Sequence, residues 1–127
     1  MKKPRQEAVE ITRYIHHFLD EYAPTHLTGS LHTLKSYRTA LFLYITFLEK
    51  SIGINSSSLE FACFSRENIE KWIKWLKDER KCSDDTVNIR LSSLRSFLKY
   101  LGSRDISQLS LYQEAITIPR KKRCGKK

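Results

Sequence analysis

Apolar residues recur along this chain at alternating spacings of three and four, interrupted by turn-forming stretches. Ile11, Ile15, Phe18 and Tyr22 form the first series, which predicts a helix from about Gln6 to Tyr22, with Pro24 preventing its continuation. Leu34, Tyr37, Leu41, Tyr44, Ile45 and Leu48 form the second, capped by Ser30 and ended by Gly53. Asn55-Ser56-Ser57-Ser58 reads as a polar loop, after which Leu59, Phe61 and Phe64 lead back to the core. Ser65 caps a third helix to about Lys81, with Phe64 and Ile69 as a hydrophobic staple and Ile69, Trp72, Ile73 and Leu76 as its stripe. Ser83 caps a fourth, whose stripe is Val87, Leu91, Leu94, Leu98 and Leu101; Asp84 and Asp85 complement the dipole of its first turn, and Gly102 is placed to stop it. A short helix from Ser107 to about Ala115 follows, and the rest has no periodicity. Nothing alternates convincingly at period two, so the expected fold is all-α, a four- to five-helix bundle of two antiparallel helical hairpins.

The polar faces of the second and fourth helices are unusual. Opposite its apolar stripe the fourth presents Asn88, Ile89, Ser92, Ser93, Ser96 and Lys99, and between Thr86 and Arg104 there are four cations and no acid. A solvated helix normally mixes charge signs on long side chains, whereas small hydroxyls flanked by cations suit close approach to a polyanion. In the second helix His32, Lys35, Ser36 and Thr39 point away from the core. Beyond Thr39 its outer side turns apolar at Phe42, Leu43 and Phe47, as in a central helix with two neighbours. The candidate DNA contacts are Thr33, Lys35, Ser36 and Thr39 on the second helix. On the fourth they are Thr86, Asn88, Ile89, Arg90, Ser92, Ser93, Arg95 and Lys99. Asn88 has the chemistry to read adenine, and Ile89 to touch a thymine methyl. Thr33 and Thr86, each three residues after a capping Ser, suit either a local helix-start hydrogen bond or a phosphate contact.

Charge sharpens this picture by its location. Of the net +9, Lys2, Lys3 and Arg5 supply three charges and the last nine residues six, while the body from Gln6 to Ile118 sets the remaining 14 bases against all 14 acids. The first helix is acidic and the fourth basic, a polarity that orients a domain on DNA. The tail from Pro119 to Lys127, with Arg120, Lys121 and Lys122 as candidate phosphate contacts, has almost nothing to bury and is expected to stay solvated and mobile. Three cysteines without Cys-x-x-Cys spacing exclude a disulfide framework, and His16, His17 and His26 lack partners at ligand spacing and are expected at the surface. No metal or cofactor, no membrane association and a reducing, cytoplasmic compartment are therefore expected.

Taken together, Ser30-x-x-Thr33-Leu34-x-x-Tyr37-x-x-x-Leu41, Ser65-Arg66-Glu67-Asn68-Ile69 with Trp72 and Leu76, and Ser83-x-x-Thr86-Val87-x-x-Arg90-Leu91-Ser92-x-Leu94-Arg95-x-Phe97, closing on Ile118-Pro119-Arg120-Lys121-Lys122, resemble one family. It is the N-terminal core-binding, SAM-like domain of tyrosine recombinases, the phage integrases, and the resemblance covers about Tyr14 to Lys122. It implies that the helices matching residues 31 to 52 and 84 to 101 cross the DNA major groove as half of a C-shaped clamp. It also implies a basic linker to a catalytic domain supplying an Arg, a His-x-x-Arg motif and a nucleophilic Tyr. No His-x-x-Arg occurs here. The expected layout is a basic segment at 1–5, a core-binding domain at 6–118 and a linker at 119–127. By this reading the chain binds duplex DNA, does no catalysis alone, and partners a catalytic domain, normally in the same polypeptide, and other recombinase protomers on DNA. The alternatives are a stand-alone helical DNA-binding regulator and a protein-interaction module whose exposed Leu43 or Phe47 meets a partner helix. A reading frame continuing into His-x-x-Arg and a late Tyr separates the first from the recombinase, and salt-insensitive binding marks the second.

Overall fold

The computed structural model describes residues 4–121, with side chains from Gln6 onward, and among them there is no strand. Five α-helices form the bundle: α1 (Pro4–His17), α2 (Leu31–Phe47), α3 (Arg66–Asp78), α4 (Asp84–Arg104) and α5 (Leu109–Ala115). Local capping chemistry sets three of the starts. Ser30, Ser65 and Ser83 are each in extended backbone, and each side chain accepts from the amide three residues on, at Thr33, Asn68 and Thr86. Gly53 takes the left-handed conformation, at φ 84°, that ends the extension of α2.

Two single-residue expectations are overturned. Pro24 does not end the first helix: α1 passes into a π-helical segment, Phe18–Leu27, with Pro24 inside it, closed by the Thr28 amide on the Ala23 carbonyl at 3.0 Å. The wider turn eases the collision a proline ring makes in an α-helix with the carbonyl four residues back. Nor does Gly102 stop the fourth helix, which continues to Arg104 and ends where Asp105 turns extended. Gly102 is buried, and a Cβ there would sit 3.1 Å from the Leu109 Cα and from its Cδ1. The residue is small because the start of α5 lies against it. Replacing Gly102 with Val is expected to lower stability by about 1–3 kcal/mol through overpacking, despite valine's better helix propensity. An unchanged melting temperature would show that Leu109 yields freely.

The core joins two aromatic groups. Phe18 has ring centroids 5.4 Å from Tyr37 and Tyr100 and 5.6 Å from Phe97, linking the π segment to α2 and α4. Tyr44 packs 5.1 Å from both Phe64 and Trp72, and Phe64 meets Phe97 at 5.9 Å, which joins the groups. The Tyr44 hydroxyl donates to the Cys63 carbonyl at 2.5 Å, and burial pushes its pKa well above the ordinary phenol value, so it stays a donor. Leu43 and Phe47 are also buried, which removes them as docking residues; on that side only Phe42 is largely exposed. His16 and His26 lie at the surface, but His17 is half-buried, its Nδ1 2.6 Å from the Tyr100 hydroxyl. No described helix is long and apolar enough to cross a membrane.

Candidate nucleic-acid interface

Helices α2 and α4 pack side by side, and the apolar stripe of each is spent on that contact and on the core. Their polar faces therefore emerge next to each other. Between them runs a shallow groove of about 360 Å³ lined by His32, Thr33, Ser36 and Tyr37 from α2, by Ile89, Ser92, Ser93 and Ser96 from α4, and by Arg120. Segments far apart in sequence thus form one surface. Helix α2 contains no acid, and α4 carries acids only at Asp84 and Asp85 in its first turn. Acids are plentiful elsewhere: α3 alone holds the pairs Arg66–Glu70, Lys71–Glu67 and Lys74–Asp78 along its exposed face.

Hydroxyls in the groove are held lightly. Ser36 Oγ donates to the His32 carbonyl and Ser96 Oγ to the Ser92 carbonyl, both at 3.2 Å. Such back-bonds within a helix contribute little, and a hydroxyl rotor gives them up for a better acceptor such as a phosphate oxygen. Ile89 is about half exposed in the same groove. Lys99 is exposed one turn beyond Ser96, Thr39 lies half-buried one turn beyond Ser36, and Lys35 is exposed beside it. Neither Lys35, Thr39 nor Lys99 lines the groove itself. Thr86 is turned to the local role: its Oγ1 accepts from Ser83 Oγ at 3.1 Å at the helix start. Arg90 is half-buried, its Nε enclosed without a partner among the described residues.

Two residues expected on the open face, Asn88 and Arg95, are instead engaged by the end of α5 and the chain that follows it, and a third, Ser93, is buried. Asn88 is 5% exposed, and its Oδ1 accepts from the Lys121 amide at 2.7 Å while its Nδ2 donates to the Lys121 carbonyl at 2.9 Å. Reading adenine would require breaking both bonds. Ser93 is 4% exposed, at the floor of the groove rather than on its rim. Arg95 donates through Nε to the Ala115 carbonyl at 3.2 Å and through Nη2 to the Ile118 carbonyl. Burial, and then the positive charge of Arg120, lower the Arg95 pKa from its ordinary value. Pro119, Arg120 and Lys121 are exposed, as expected of a solvated tail, but the backbone of Lys121 is bonded to α4. This segment is anchored by Ile118, buried at 4% exposure, and by the bonds to Asn88. The rest of that tail, Lys122 included, lies outside the described residues, as do Met1–Lys3 of the basic N-terminal segment.

Among the described residues no group of three or more His, Cys, Asp or Glu is arranged to hold a metal ion. The phage integrase N-terminal SAM-like domain matches this chain over residues 15–105. A protein of Sinorhizobium fredii named as an integrase/recombinase, y4rD, is 29% identical over 90 residues, covering 71% of this chain and 32% of that protein. The chain spans about a third of the length of that curated relative. No solved structure matches. The family match runs from the end of α1 through α4 and takes in both helices that wall the groove, and on that ground the chain belongs to the phage integrase family, through its N-terminal SAM-like domain.

Proposed function

We propose that this chain grips duplex DNA through the α2/α4 groove, as the core-binding part of a site-specific tyrosine recombinase. The observation that carries the reading is the convergence of two outward polar faces and Arg120 on one groove whose helical walls bring small hydroxyls and no acid within reach. Small side chains let the backbone of a helix come close to a phosphate strand, and hydroxyls and the arginine then bond its oxygens. Lys35, Thr39, Arg90 and Lys99 flank the groove and extend the contact along the helices. Strand cleavage belongs to a catalytic domain, normally in the same polypeptide, and further protomers complete the assembly on DNA. The family match and the greater length of the curated relative support that division of labour.

Fluorescence anisotropy with a labelled duplex across a salt series tests the reading. Binding is expected to be weak and to fall steeply with salt, because the logarithm of the affinity drops by about 0.9 per neutralised phosphate for each decade of salt. A flat salt response, or no binding at low salt, rules out DNA as the partner.

A further inference from the structure

We propose that Asn88 is a positioning residue, whose buried amide clasps the backbone of Lys121 and so sets Arg120 into the α2/α4 groove as the cation that meets a phosphate there. The proposal rests on the DNA reading above and adds to it a fixed arginine and the device that fixes it. A side-chain amide offers a donor and an acceptor at once, and Asn88 uses both on one residue, at 2.9 and 2.7 Å. An apolar residue at this place on α4 would leave the Lys121 amide and carbonyl without these partners. The segment is held at further points as well. Arg95 binds the Ala115 and Ile118 carbonyls, Arg66 donates to Thr117 Oγ1 at 2.6 Å, and Ile118 is buried.

Between the anchors at Ile118 and Lys121, Arg120 is left exposed, with its side chain in the wall of the groove. Clasped in this way, the arginine has already lost the backbone freedom that a loose tail would surrender on binding. Its charge also bears on Arg95.

The test compares the full chain with Asn88→Ala, Lys121→Pro, Lys121→Gln, Arg120→Gln and the double variant Asn88→Ala/Arg120→Gln. Duplex binding is read across a salt series, and the order of the segment by backbone 15N relaxation at the amides of residues 118, 120 and, where it is not proline, 121, without DNA. Lys121→Pro removes the donor to Asn88 without touching α4, so the outcome does not hang on how well Asn88→Ala folds; Lys121→Gln keeps the backbone bonds and controls for the lost charge. Arg120→Gln is expected to weaken binding about tenfold at low salt and to reduce the salt slope by about one phosphate. Asn88→Ala should do the same and release residues 119–121, and Lys121→Pro, which leaves only the bond to the carbonyl of position 121, should move both readouts in the same direction beyond the loss seen with Lys121→Gln. The double variant should bind no worse than Asn88→Ala alone. An undiminished effect of Arg120→Gln in the Asn88→Ala background overturns the proposal, as does a strand that stays ordered without the clasp. A wild-type chain that binds no duplex overturns the DNA reading itself, and the relaxation data still decide whether the clasp exists.

Discussion

Glutamate at both Ser92 and Ser96 is expected to weaken duplex binding by about a hundredfold, equivalent to about 2.8 kcal/mol, while the domain stays folded. Ser92 is exposed and Ser96 half-buried, and the bond recorded between them runs only along α4 itself. Losing it removes nothing that holds the bundle together. Glutamate has the higher helix propensity, and like charges four residues apart cost about 0.2–0.5 kcal/mol, so the thermal midpoint should barely move. In the groove proposed to take DNA, each carboxylate would face a phosphate at short range, where repulsion is only partly screened by salt. Replacing the same serines with alanine removes hydroxyls without adding charge and should cost far less. Anisotropy titrations with circular dichroism as the folding control decide the matter; wild-type affinity in the glutamate pair moves the DNA face elsewhere. Ser93→Glu and Arg95→Glu are poor substitutes. The first buries a carboxylate and the second strips Ala115 and Ile118 of their donor, so either loses binding through the fold.

The largest expected effect on stability comes from Phe18→Ala. Phe18 is fully buried and its ring touches three elements at once, meeting Tyr37 of α2, Phe97 and Tyr100 of α4, and Tyr22 within its own π segment at 6.3 Å. Truncating a buried Phe costs about 3–5 kcal/mol, a large share of the roughly 5–15 kcal/mol that holds a domain folded. Because neighbouring rings from separate elements frame the space, it cannot collapse without moving one helix against another. Urea denaturation should show the midpoint falling with little change in slope. A loss below about 1 kcal/mol would mean that the π segment is not a fixed part of the bundle.

Much of this architecture was legible in the sequence because its causes are local. A capping serine bonds the third amide beyond it whatever the rest of the chain does, so Ser30, Ser65 and Ser83 announced three helices. Periodicity likewise placed Ser36, Ser92 and Ser96 on outward faces that the packing of α2 on α4 then brought together. The misreadings arose where a distant contact overrode a local rule. Gly102 reads as a stop until Leu109 is known to press against it, and Pro24 as a break until the turn around it is known to widen. Asn88 sits at outward helical phase, yet its amide is taken by the backbone of Lys121, in a segment with no periodicity to signal that it packs, and Ser93, on the same face, is buried in the groove floor. Ile118 was the available hint, a large apolar side chain that, with Ile116, stands just before the basic run.

The order in which the groove's parts occur along the chain bears on how the molecule is made. One wall comes from α2, the other from α4, and the last piece, Arg120, is brought in only through Lys121 near the end of the described chain. During synthesis α2 leaves the ribosome with only the preceding π segment to pack on, and it gains the other wall of the groove only after α3 and α4 have followed. Closing so long a loop costs entropy before any contact offsets it, so docking of α4 is expected to be a late step in folding. A chain arrested before α4 has no groove at all, and one arrested after α5 has the walls without the arginine. If the groove is the DNA face proposed above, recognition awaits the residues that follow α5, and products truncated before α4 lack the surface altogether.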